Sequence, residues 1–229
     1  MSQNNTNKII IALDYDNKKD VLDLCNQLDP CSCRLKIGKQ LFTQLGPDII
    51  ESLHAKNFEI FLDLKFHDIP ITVYKACVEA YKLGIWMLNI HLLGGREMIL
   101  AAKQARDEHS PLALLTGVTL LTSHSDDSLK FLNLPNRLST VQKLAQIAYS
   151  CQIDGVVCSP SDIKTIKEVA SDLVFVTPGI RLTDKNDDHA RIYTPKTAIL
   201  SGADYLVIGR PITKSKKPME VIDEIISMI

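Results

Sequence analysis

Nowhere in these 229 residues does an apolar run reach the length needed to span a bilayer, which argues against a helical membrane protein. Excess charge of either sign is missing too. With 26 basic and 27 acidic residues the net charge is −1, so the basic footprint of a nucleic-acid binder is absent. The six cysteines (Cys25, Cys31, Cys33, Cys77, Cys151, Cys158) form no C-x-x-C pair and have no histidine at zinc-finger spacing. They read as reduced thiols, and no metal site is expected. Cys31 and Cys33 come nearest to an exception. Met1 to Lys8 is polar and lacks the apolar region of a signal peptide, so the expected compartment is the cytoplasm. Neither G-x-G-x-x-G after a strand nor G-x-x-x-x-G-K-[ST] occurs, so a nucleotide, if bound, is held in another way. Linkers and low-complexity segments are also lacking. One domain over residues 1–229 is expected, with 1–7 as a polar N-terminal tail.

What the chain does have is a repeating unit of strand then helix. Lys8 to Asp14 reads as a first buried strand, and apolar residues from Asp16 to Leu28 follow at helical spacing. The remaining strands are read at Arg34–Gly38, Glu59–Lys65, Trp86–His91, Leu112–Leu121, Gly155–Cys158, Leu173–Thr177 and Tyr205–Arg210. Between them lie helical stretches such as Gln40 to Lys56, Pro70 to Leu83 and Leu138 to Cys151, while Thr122 to Asp127 reads as a polar loop. Eight such units of about 28 residues match an α/β protein built as a single (β/α)8 TIM barrel, with a doubly wound open sheet as the runner-up.

The most informative stretch is Phe61-Leu62-Asp63-Leu64-Lys65-Phe66-His67-Asp68-Ile69-Pro70, where three charges sit among apolar neighbours. On a regular strand Asp63 and Lys65 share a face, ~6.6 Å apart along the chain. Pro70 suits the first turn of a helix, which puts Asp68 in the loop between strand and helix. In a barrel, active sites lie at the carboxyl ends of the strands, and Asp14, Lys36, Asp63, Lys65, Asp68, Thr122, Arg181 and Arg210 all fall there. Phosphate sites favour the loops after strands seven and eight, here Thr177-Pro178-Gly179-Ile180-Arg181 and Ile208-Gly209-Arg210-Pro211. Their glycines admit close backbone approach, and each arginine offers a fork of donors. Across the mouth, Lys65 between carboxylates is expected to be a charged acid rather than a nucleophilic amine. A carboxylate at that place would repel an anionic substrate group. Loss of that group as CO₂, with Lys65 protonating the carbon left behind, is a consistent use of the cluster.

The motif Asp63-x-Lys65-x-x-Asp68-Ile-Pro resembles the orotidine 5′-phosphate decarboxylase family of the bacterial type, as do Ala12-Leu13-Asp14, Leu35-Lys36-Ile37-Gly38 and the two glycine–arginine loops. The resemblance runs from about Lys8 to the end. It implies a cofactor-free lyase that converts orotidine 5′-monophosphate to UMP and CO₂, the final step of de novo UMP synthesis. A homodimer with sites formed across its interface is implied as well. By position, Lys65 would protonate C6, Asp63 would face the departing carboxylate, and Lys36 would complete the charge network and contact the ribose. Asp14 would take ribose hydroxyls, and Thr122 with Ser123 would lie at the base. Pro178, Arg181, Gly209 and Arg210 would surround the phosphate. Asp68, with Ile69 and Thr72, would reach the neighbouring subunit's site. His91 is similar in position to a family histidine behind the catalytic residues.

Two positions depart from the family pattern. In the acidic loop Asp187-Asp188-His189-Ala190-Arg191, His189 stands where glutamine is usual, and Leu93 stands where a small polar residue is common. The first bears on the phosphate; the second leaves the catalytic array alone. The nearest rival is a Mg²⁺-dependent sugar-phosphate enzyme with the same Asp-x-Lys-x-x-Asp motif. Such enzymes place a Glu ligand on strand two, where Lys36 here would repel a divalent ion. A catalytically dead binding protein is a further rival, but it would be expected to have lost some of these charges.

Overall fold

A computed structural model describes residues 8–182 and 193–229. Eight parallel strands close into one barrel in chain order: β1 (Ile9–Ala12), β2 (Arg34–Gly38), β3 (Ile60–Phe66), β4 (Met87–His91), β5 (Leu114–Val118), β6 (Gly155–Val157), β7 (Val174–Thr177) and β8 (Tyr205–Ile208). Pairing of Ile9 with Leu206 and Ile11 with Ile208 makes the closure. The open-sheet alternative is thereby excluded.

Side-chain alternation divides the core in two. Outward-facing residues such as Ile9, Ile11, Leu35, Ile37, Leu62, Leu88 and Ile90 pack under the helices. Inward-facing Ile10, Ala12, Phe61, Met87, Val118, Val157, Val176 and Val207 fill the barrel. Each fully buried large aliphatic side chain contributes about 1.5–3 kcal/mol by leaving water. At the amino-terminal end Trp86 and Tyr205 meet edge to face, and the Arg34 guanidinium lies 4.1 Å over the Trp86 ring.

The helices follow from apolar spacing and caps. Pro70–Lys82 begins with Pro70 in its first turn and buries Val73, Cys77, Val78 and Tyr81 on one face. Gly95–His109 buries Met98, Ile99, Ala102, Ala105 and Arg106. Arg106 reaches the Asp154 carboxylate, which also accepts the Leu115 N–H at 2.7 Å and so ties this helix to β5. The sequence-based helix from Gln40 to Lys56 is two helices, Lys39–Leu45 and Asp48–His54. Gly46 (φ 61°) ends the first in a conformation that favours glycine, and Pro47 cannot donate a hydrogen bond to continue it. β5 ends at Val118, earlier than expected, and the polar loop after it gives way to a short helix, Asp126–Phe131, which Ser125 caps through its hydroxyl.

Candidate active site

The uppermost inward-facing layer of the barrel breaks with the aliphatic filling below it. Two residues beyond Arg34, β2 turns Lys36 inward; two beyond Phe61, β3 does the same with Asp63, and both are more than nine-tenths buried. The Lys36 Nζ lies 3.2 Å from Asp63 Oδ2 and 3.7 Å from Asp14 Oδ1. Lys65 Nζ donates to the other Asp63 oxygen. A chain of alternating charge, Asp14–Lys36–Asp63–Lys65, therefore crosses the mouth. Burial by itself would raise the Asp63 carboxyl. The cations Lys36 and Lys65 and the hydrogen bonds from Lys65 and Asn89 outweigh it, holding the group below its ordinary value.

Asp63 and Lys65 meet, although not by simple strand alternation. Leu62 pairs with Leu88 and Phe66 with Ile90, so three β3 residues stand opposite Asn89 alone. At this bulge Lys65 takes a left-handed backbone (φ 50°), which costs a residue with a side chain roughly 1–2 kcal/mol. The fully buried Asn89 accepts the Lys65 N–H at 2.8 Å and donates to Asp63 Oδ1 at 2.6 Å. Asn89 was not among the residues picked out by motif. Its signal was a polar side chain at an inward position of an otherwise apolar strand.

Two cavities share Lys36, Pro178 and Val207 in their walls. The smaller, about 210 Å³, has Asp63, Lys65 and Thr122 at its rim and Phe61, Val118 and Val157 beneath. Cys158 also lines it, but burial pushes that thiol well up, so it is not a ready nucleophile. All six cysteines are free. The larger cleft, about 730 Å³, is bounded by Asp14, Pro178, Gly179, Arg181, Gly209, Arg210 and Lys214. Gly179 has φ 82°, a conformation that favours glycine at this turn. The Arg181 N–H donates to the Tyr193 carbonyl at 3.0 Å.

The other expected site residues lie elsewhere. Ser123 is exposed and lines neither cavity, unlike Thr122. Asp68, Ile69 and Thr72 are exposed and outside both cavities, and the Asp68 carboxylate takes the Ile69 N–H at 2.6 Å. His189 lies outside the described residues. The His91 ring stacks on His67 at 5.3 Å, with its Nδ1 accepting the Leu93 N–H at 3.4 Å. Among the described residues, no group of three or more His, Cys, Asp or Glu could hold a metal ion, and no helix is long and apolar enough to cross a membrane.

A closed barrel with a charged array and two joined cavities at the carboxyl ends of its strands defines a (β/α)8-barrel enzyme. Its relatives narrow the class. A model of the orotidine 5′-phosphate decarboxylase / HUMPS family matches residues 7–225. Orotidine 5′-phosphate decarboxylase of Saccharophagus degradans is 47% identical over 221 residues, covering 95% of this chain and 93% of that protein. The Nitrosospira multiformis protein of the same name is 48% identical over 224 residues, covering 96% and 93%. The crystal structure of orotidine 5′-phosphate decarboxylase from Lactobacillus acidophilus superposes with a TM-score of 0.85 at 37% identity, covering 96% of this chain and 97% of that one. The chain belongs to the orotidine 5′-phosphate decarboxylase / HUMPS family.

Proposed function

We propose that this protein decarboxylates orotidine 5′-monophosphate to UMP and CO₂ without metal or organic cofactor, and that Lys65 delivers the proton to C6. The observation that carries the reading is the buried Asp63 carboxylate held between Lys36 and Lys65 above an apolar floor. The arginines of the larger cleft suit the phosphate, Asp14 and Lys36 the ribose, and the smaller cavity the base.

The chemistry follows from the charges. A substrate carboxylate seated beside Asp63 meets an anion that its surroundings keep ionised. As the C6–carboxylate bond breaks, CO₂ departs and the electron pair stays on C6. That charge develops next to the Lys65 ammonium, which stabilises it and then transfers its proton, forming the C6–H bond of UMP. Lys65 recovers a proton from solvent. A divalent ion would have to sit beside the Lys36 ammonium, which supports a metal-free reaction over the sugar-phosphate alternative.

The protein is further proposed to act as a homodimer in the cytoplasm, as one domain, with Asp68, Ile69 and Thr72 serving the partner's site. Ile69 is 62% exposed, an apolar side chain in want of cover at the rim of its own barrel. Ser123 and His189 belong to the proposed substrate shell at the base and phosphate respectively. A spectrophotometric assay of orotidine 5′-monophosphate consumption, with and without EDTA, tests the reading. Equal rates are expected. No consumption would reject the reaction, and loss restored by Mg²⁺ would favour the sugar-phosphate enzymes.

A further inference from the structure

We infer that Asn89 is a positioning residue for this site, holding Lys65 on its bulge and aiming Asp63 through the two ends of a single amide. The inference rests on the decarboxylase reading above. Opposite Asn89, β3 carries three residues where a regular ladder would have one, so the Lys65 N–H has left the backbone pairing. Asn89 Oδ1 takes that N–H at 2.8 Å, while Nδ2 donates to Asp63 Oδ1 at 2.6 Å, the same oxygen that Lys65 Nζ approaches. A backbone N–H needs an acceptor and a carboxylate needs a donor, so the chemistry fixes which way the amide faces. Nothing smaller does both. Serine is too short to span the two groups, and an aliphatic residue would leave a buried N–H unsatisfied.

The consequence is a shared reference point. Lys65 is held at its backbone, where φ is 50°, and Asp63 at the oxygen that receives the lysine ammonium. Loss of the amide would free the donor and its anionic partner together. Asn89 bonds directly to Asp63 and to the Lys65 backbone of β3; Lys36 of β2 lies behind Asp63, and His91 stands two residues along β4.

Two variants test this beside the wild type. Asn89→Leu keeps the branching at Cγ and removes both hydrogen bonds. Its kcat is expected to fall ~10²-fold, because small displacement of a reacting group has that effect, with KM changed less than about threefold. Asn89→Asp keeps an acceptor for the Lys65 N–H but sets a second carboxylate against Asp63. Protonation of that pair restores a donor, so the ratio of its kcat to the wild type's should rise ~tenfold between about pH 8 and 5.5. A merely structural role gives a ratio that is flat with pH. If Asn89→Leu does not fold, the pH profile of Asn89→Asp decides alone. A flat ratio, or kcat within about threefold of wild type in both variants, overturns the inference. A wild type inert toward the nucleotide overturns the decarboxylase reading and the inference with it.

Discussion

Lys36 and Asp63 meet at 3.2 Å inside the barrel, one layer above Phe61 and its aliphatic neighbours. Taking both ions out of water costs several kcal/mol each, and the pair repays this only while both partners remain. Lys36→Met should therefore destabilise the protein by roughly 3 kcal/mol, the low end for a broken buried pair, since Lys65 and Asn89 still serve Asp63. Its pH dependence has a definite sign. Asp63 is held below its ordinary value, so its contribution to stability is present above the unfolded-state pKa and lost as pH falls through the folded one. Without Lys36, the chief cause of that lowering, the folded value moves back toward the unfolded one and less stability is lost to acid through this group. Thermal melts carried from neutral pH down to about pH 2.5 compare the two proteins, and equally steep acid declines would show that Lys36 does not keep Asp63 ionised.

Lys65→Ala should abolish most turnover while leaving UMP binding measurable. A positioned proton donor contributes ~10² to 10⁴-fold, and stabilising the developing carbanion adds to that. Single-turnover assays with calorimetric UMP titration separate the two effects. Near-normal turnover would remove Lys65 from the reaction.

His91 predicts a second pH effect, in stability rather than rate. Burial, then the positive charge it would share with His67, His124, Lys39 and Lys65, pushes its imidazole down to about 4. In the unfolded chain the value is ~6.5. Between these values the unfolded state binds more protons, so this group makes stability fall as pH drops from about 6.5 toward 4. His91→Gln should have a shallower decline of melting temperature across that window. Parallel declines would mean that His91 takes up its proton while folded.

The strand order and the charged rim were legible because each strand is a short apolar run ending in a conspicuous charge or glycine. Lys36, Asp63 and Lys65 could be brought together from motif and periodicity. The means by which Lys65 reaches Asp63 could not. A bulge depends on pairing between β3 and β4, which neither strand reveals alone, and Asn89 reads locally as one polar residue in an apolar run. Apolar spacing continues across Gly46-Pro47 and masks in sequence the break between the two helices there. Thr122 and Ser123 look alike in sequence; only the course of the loop turns the first toward the smaller cavity.

Arg210 lies in the larger cleft, away from the Asp63–Lys65 pair that lines the smaller one. Its interaction with a phosphate can assist the chemistry only by placing the substrate. Arg210→Ala should lower kcat/KM by ~10²-fold or more, and orotidine lacking the phosphate should react poorly with the unmodified enzyme. Steady-state assays of both substrates on both proteins measure the coupling. Equal reactivity of nucleotide and nucleoside would refute it.

Asp68 tests the proposed dimer. Within its own chain it is exposed, lies outside both cavities, and receives the Ile69 N–H instead of joining Lys65. If it serves the neighbouring subunit, Lys65→Ala and Asp68→Asn proteins should each be inactive alone and regain activity when refolded together. Each heterodimer would hold one site with both defects and one intact site. Random pairing makes half of the dimers mixed, so an equimolar preparation should reach roughly a quarter of wild-type activity per chain. Native mass spectrometry establishes that heterodimers have formed. Mixed dimers without activity would place Asp68 in the site of its own chain, or in neither.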